Sequence, residues 1–193
     1  MKQEMKERPS VADLEAELKR VRYQNRYQAV LRSTVYTLIT VAAVAVLVAT
    51  LWLPVLQIYG GSMTPTLEDG EIVFSVKTNR MEPGDVIALY YNNNILIKRV
   101  IANAGDWVNI DEDGTVYIND AELIEPYLDA KSYGDADIEF PYQVPDGKFF
   151  VMGDHRETSS DSRHTAVGCI APDQVVGKIV FRVWPLEQFG TVG

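Results

Sequence analysis

The sequence predicts a mostly β fold, an all-β domain behind one N-terminal transmembrane helix, and three observations carry that prediction. No side chain between Ser33 and Leu67 is charged. Beyond Pro54, helical patterning gives way to short alternating runs broken by turn residues. No segment of helical length and period follows residue 58.

Taken in order, the first element is a short amphipathic helix in the tail. Val11, Leu14, Leu18 and Val21 recur at three- and four-residue spacing, with Ser10 and Asp13 as a weak capping box. Too few heptads are present for a coiled coil, so the tail reads as solvated. The span comes next. Val35 to Leu53 reads VYTLITVAAVAVLVATLWL, with Tyr36 and Trp52 near its ends. About 20 apolar residues cross a hydrocarbon core of about 30 Å, and aromatic residues favour its two interfaces. A cleavable leader fits poorly, because 32 residues precede the apolar run and it continues past Ala43 and Ala45. Arg20, Arg22, Arg26 and Arg32 precede the span, whereas the first basic residue after it is Lys77. The positive-inside bias then predicts a cytoplasmic tail (1–32), a span (33–56) and an extracytoplasmic domain (57–193) in the cytoplasmic membrane.

Seven strands are expected in that domain: 71–76, 85–91, 95–102, 107–110, 115–119, 149–152 and 175–184. Asp113-Gly114, Pro83-Gly84 and Asp146-Gly147 supply turn chemistry between or before them. Residues 129–143, rich in Asp, Ala, Tyr and Gly, read as a surface excursion.

Composition narrows the functions available. The first 32 residues hold eight Lys or Arg against five Asp or Glu, and the rest hold ten against twenty-two. So acidic a domain excludes a nucleic-acid partner, which would need clustered cations. A single cysteine, Cys169, rules out an intramolecular disulfide, and with only His155 and His164 beside it no metal or other cofactor is expected.

Three segments carry chemistry. In Gly60-Gly61-Ser62-Met63-Thr64-Pro65-Thr66-Leu67, the serine beside two glycines is either a turn residue or a nucleophile; neither G-x-S-x-G nor S-x-x-K is present. In Ile95 to Ala102 a lysine, Lys98, falls among aliphatic residues. Burial would lower its pKa and make it a base, but a lysine reaching solvent along its stem fits equally well. The third segment, Gly153 to Arg163, is dense in hydroxyl, Asp and Arg side chains, which suits either a solvated loop or a scaffold that orients an amine.

Together, in order and spacing, these segments resemble the sequence boxes of bacterial type I signal peptidases. The resemblance includes S-M-x-P-T-L at Ser62 to Leu67, G-D-V-I at Gly84 to Ile87, K-R-V-I-A then G-D at Lys98 to Asp106, and G-D-x-R-x-x-S-x-D-S-R at Gly153 to Arg163. Asn119 to Leu128 and Phe181 to Pro185 also resemble family stretches. What the resemblance implies is a β-fold shared with LexA-type repressors and a serine peptidase that removes signal peptides from secretory preproteins. Ser62 is then the nucleophile and Lys98 its general base; Ser159 holds the amine, and Asp154, Asp161, Arg99 and Arg163 form supporting ion pairs. Ile58, Met63, Leu67, Leu96 and Ile97 would line shallow pockets for small residues one and three positions before the cut. The Ser62 N–H would supply one oxyanion donor, while Gly60 stands where some members have a serine as the second. His155 stands where asparagine is common. The expected partners are secretory preproteins and the lipid bilayer.

Three other readings compete: a Ser-His-Asp hydrolase using His155 or His164 with Asp161, a LexA-type self-cleaving repressor, and a tethered binding module. A membrane span argues against the repressor, and the intact dyad positions argue against the binding module.

Overall fold

In the computed structural model of the protein, residues 11–52, 54–78 and 80–192 are described. The chain divides into two units, Met1–Ala49 and Thr50–Gly193. The first holds most of one helix, α1 (Val11–Trp52). The expected tail helix and span are therefore one uninterrupted element. No Gly or Pro occurs from Val11 to Trp52, and Pro54 follows, so nothing breaks the hydrogen-bond ladder until its end. At about 1.5 Å per residue the helix is about 63 Å long, twice a hydrocarbon core. Within it, the segment Glu17–Val48 contains an 18-residue window of mean hydropathy 1.9, long and apolar enough to cross a membrane. Its hydroxyls bond back to their own helix: Thr34 to Val30 O at 3.0 Å, Thr37 to Ser33 O at 2.9 Å and Thr40 to Tyr36 O at 2.9 Å. Such pairing suits a helix with no water to satisfy its polar groups. Ser10 and Leu53, the expected cap and the last residue of the apolar run, lie outside the described residues.

The second unit is mostly β. One sheet runs β1 (Val55–Gln57), β2 (Ile72–Val76), β10 (Val175–Trp184), β3 (Val86–Tyr91), β4 (Asn94–Ala102) and β9 (Phe150–Met152), with β11 (Gly190–Thr191) also pairing β10. The other runs β7 (Ala121–Glu122), β6 (Val116–Ile118), β5 (Trp107–Ile110) and β8 (Tyr142–Gln143). All seven expected strands are present. Four others, β1, β7, β8 and β11, have only two or three residues, too few to show alternation. Since β1 occupies Val55–Gln57, the expected span limit at residue 56 runs past the helix into the sheet.

Central β3 shows why its sequence is apolar on both faces. Val86 and Ala88 join one core with Ile58, Met63, Leu67, Val73 and Ile179, while Ile87 and Leu89 join another with Met81, Val100, Val151 and Ile170. A two-residue turn at Asn92-Asn93, both with positive φ, returns the chain into β4. A third core, including Ile101, Val108, Val116, Phe150 and Met152, joins β4 and β9 to the small sheet. Residues 129–143 run along the surface as expected, with no fully buried residue, but Tyr133, Ile138, Phe140 and Tyr142 pack on this third core.

Candidate active site

Ser62 sits in the turn-rich segment between β1 and β2. Gly60 adopts φ +83°, a conformation glycine takes without strain, and its N–H donates to Asp69 Oδ1 at 2.6 Å. Thr64 N–H bonds Gly61 O at 3.1 Å and Leu67 N–H bonds Met63 O at 2.9 Å, so the loop is wound into a fixed shape. Met63 and Leu67, 1% and 0% exposed, pin it to the core. On β4, Lys98 is 2% exposed and its Nζ donates to Ser62 Oγ at 2.8 Å. Burial pushes the lysine pKa down; Asp161 opposes that shift, Arg163 adds to it and Asp154 opposes it. No carboxylate among the described residues pairs directly with this buried amine, which is therefore easily made neutral, and a neutral amine accepts a proton.

Behind this pair lie three buried ion pairs. Arg99 Nε and Nη2 grip Asp154 at 2.9 and 2.7 Å, Arg99 Nη1 donates to Gly84 O at 2.7 Å, and the guanidinium lies 3.9 Å from the Tyr127 ring centre. Thr66 Oγ1 donates to Asp154 Oδ2 at 2.5 Å, which ties the Ser62 segment to that pair. Arg163 holds Asp161 by Nε and Nη2, both at 2.9 Å, and donates to Tyr133 O at 2.9 Å and Arg156 O at 2.8 Å. Burial alone would raise the Asp161 pKa, but Arg163 and the Gly153 N–H bring it below the usual value. In the third pair, Arg156 meets Glu125 through both terminal nitrogens, and both side chains are wholly buried.

Gly153 is the crossing point. A Cβ there would stand 2.2 Å from Ser159 Oγ and 2.4 Å from Ser62 O, so only glycine fits. His155 N–H donates to Ser62 O at 3.1 Å. Ser159, 4% exposed, contributes to lowering the Asp161 pKa, yet its Oγ makes no hydrogen bond of ordinary geometry and none to Lys98 is present among the described residues. Imidazole is not hydrogen-bonded to Ser62: His155 Nδ1 pairs with Thr158 Oγ1 at 2.8 Å.

From Ser62 a groove of about 540 Å³ extends between β1 with the following segment and the start of β4. Ile58, Met63, Leu96 and Ile97 line it, whereas Leu67 is buried away from it. Both walls are strand edges: β1 pairs only β2, and β4 pairs β9 only from Arg99 onward. The structure thus brings Ser62, Lys98, Arg99, Asp154, Ser159, Asp161 and Arg163 together. Sequence reasoning missed Glu125, Tyr127, Thr66 and Arg182, whose Nη2 donates to Thr66 O at 2.7 Å. The first two lie in the Asn119 to Leu128 stretch, which carried resemblance but no motif.

Comparison with known proteins gives the family of the chain. The family model described as signal peptidase, peptidase S26, matches residues 31–184. Signal peptidase IB of Staphylococcus aureus is 41% identical over 153 residues, covering 68% of this chain and 78% of that protein. Signal peptidase I of Streptococcus pneumoniae is 32% identical over 174 residues, covering 70% and 84%. A crystal structure of a signal peptidase I from Enterococcus faecalis is 30% identical, with TM-score 0.44, over 51% of this chain and 96% of that one. With most of the second unit inside the family match and a relative this similar over two thirds of the chain, the protein belongs to the signal peptidase family, peptidase S26.

Proposed function

We propose that the protein is a membrane-bound serine endopeptidase that cleaves N-terminal signal peptides from secretory preproteins, with Ser62 as nucleophile and neutral Lys98 as general base. The observation that carries this reading is the 2.8 Å contact between Lys98 Nζ and Ser62 Oγ in a setting where Lys98 is 2% exposed. Lys98 takes the Ser62 proton as Oγ attacks the scissile carbonyl, then returns it to the leaving amine, so that the new chain departs and an acyl-enzyme remains. Next it deprotonates water, which attacks the ester and frees Ser62. The Ser62 N–H is one oxyanion donor, and Gly60 leaves the second to the loop backbone or to solvent. Ser159, buried beside the dyad, orients the amine when the lysine turns between these steps.

The unpaired edges of β1 and β4 suit an extended peptide that adds as a strand and drops alternate side chains into the groove. Leu96 and Ile97 leave shallow space there, which favours alanine one and three residues before the cut. Arginines ahead of the span, with no basic residue after it until Lys77, support a cytoplasmic tail (1–32), a span (33–56) and an extracytoplasmic catalytic domain (57–193).

The test is cleavage of a secretory precursor by the wild type and by Ser62→Ala, Lys98→Ala and Lys98→Arg. All three variants should fold and be inactive, because a guanidinium stays protonated and cannot serve as base. Activity in Lys98→Arg within about tenfold of wild type would overturn the dyad. Replacing both His155 and His164 should leave cleavage in place.

A further inference from the structure

We propose that Glu125 is a positioning residue for the peptidase reaction: acting through Arg156 and Tyr127, it holds in register the two segments that carry the Ser62–Lys98 contact. Its carboxylate lies outside every motif segment, on the stretch after β7, and is wholly buried. One route runs through Arg156. Two guanidinium nitrogens meet Glu125, while Arg156 Nε donates to Gly153 O at 3.1 Å. Gly153 is the residue that abuts Ser62 O and Ser159 Oγ, and its N–H bonds Asp161 Oδ2 at 3.0 Å. The other route runs through Tyr127, whose hydroxyl donates to Glu125 Oε1 at 2.8 Å and whose ring packs on the Arg99 guanidinium. Arg99 directly follows Lys98 in β4. A single carboxylate therefore backs both the Ser62 side and the Lys98 side of the dyad. Removing its charge leaves the Arg156 cation buried without a counter-ion, and the Gly153 turn is then the part free to shift.

The proposal rests on the Ser62–Lys98 reading. It is tested on the full-length enzyme in detergent, with a peptide spanning a signal-peptide cleavage site that has alanine one and three residues before the cut. Glu125→Gln should lower kcat about tenfold to a hundredfold while KM stays within about twofold, the split expected when alignment rather than binding is lost. The rising limb of its pH–kcat profile should move to higher pH, since a loosened site admits water to Lys98. Glu125→Asp should recover part of the rate. Adding Arg156→Gln to Glu125→Gln should cost little more, because both act along one route.

Wild-type kcat in Glu125→Gln overturns the proposal. So does a loss confined to KM, or a loss with an unmoved pH profile that Val116→Ala, destabilised in the third core, reproduces. If Glu125→Gln does not fold, Tyr127→Phe decides, because it removes only the hydroxyl and keeps the ring over Arg99: a lowered kcat supports the proposal and a wild-type kcat overturns it. Ser62→Ala separates the two readings. Cleavage by that variant refutes the dyad itself, whereas an inactive Ser62→Ala beside a fully active Glu125→Gln refutes only the role of Glu125.

Discussion

In the proposed dyad, Lys98 sets stability against activity. Its pKa is lowered chiefly by burial, so below the usual value of 10.5 the unfolded chain binds the proton more readily than the folded one. The buried amine therefore makes stability rise with pH up to about 10.5, and at neutral pH it is a net cost. Lys98→Met should raise the thermal midpoint at pH 7 and abolish cleavage, a gain absent at pH 10.5. Activity of the wild type should rise with pH along a limb whose midpoint lies below 10.5, measured as initial rate on a peptide substrate. The sign reverses for Asp161. With its pKa lowered from 3.8, it contributes fully above that value and loses the contribution as pH falls toward the folded value. Asp161→Asn strands the Arg163 cation and should destabilise by about 3 kcal/mol or more in denaturant titration. Ser162 is a neighbour of another kind. Its Oγ accepts from Val151 N–H at 2.9 Å and donates to Gly168 O at 2.8 Å, so Ser162→Ala should cost about 1–3 kcal/mol through two unpaired backbone groups.

At the scale of elements, the segment from residue 129 to 143 runs along the surface, as its polar and small side chains suggest. Its backbone carbonyls at Ser132 and Tyr133 nonetheless take hydrogen bonds from Arg163. Gly134 has φ +67°, and a Cβ there would stand 2.5 Å from Arg163 Nη1 and 2.6 Å from Arg156 O. Gly134→Ala should therefore lower stability by more than about 1 kcal/mol, since backbone strain adds to the clash, and should reduce kcat although it lies outside every motif. Circular dichroism melts and peptide turnover would check both parts. β4 illustrates a different division of labour within one strand. Its first half pairs β3 and keeps the other edge open beside Ser62, its second half pairs β9 and is buried from Arg99 to Ala102, and Arg99 is where the two pairings meet. One continuous strand thus buries Lys98 and, in the proposed reaction, offers backbone groups to the substrate.

At the scale of the whole molecule, the β unit contains the eleven strands and three cores found among the described residues, so it should fold without α1. The cut has to fall before Pro54, whose carbonyl accepts from Ser75 N–H at 3.0 Å and fixes the start of β1. A fragment of residues 54–193 should cleave a short peptide at the wild-type rate. On precursors embedded in vesicles it should be slower, because co-residence in a bilayer raises effective substrate concentration by about a hundredfold or more. Equal rates for fragment and full chain on such vesicles would mean the helix contributes nothing to substrate capture.

Residue chemistry along the chain was enough to determine the apolar run, the mostly β domain and seven of its strands, and to single out the segments around Ser62, Lys98 and Asp161, to which the resemblance to a known family then assigned roles. Each of these rests on a local pattern: an uncharged run, a two-residue alternation, or reactive side chains close together in sequence. Only the tertiary structure decided that Lys98 is buried rather than reaching solvent, because that depends on which strands cover β4. The same holds for Gly153, fixed by the approach of Ser62 and Ser159 from distant parts of the chain, and for Glu125, which reads as one more acidic surface residue until Arg156, 31 positions away, folds onto it. A local pattern encodes what a residue can do. Burial and charge pairing across long separations, which decide what it does, exist only once the chain has closed on itself.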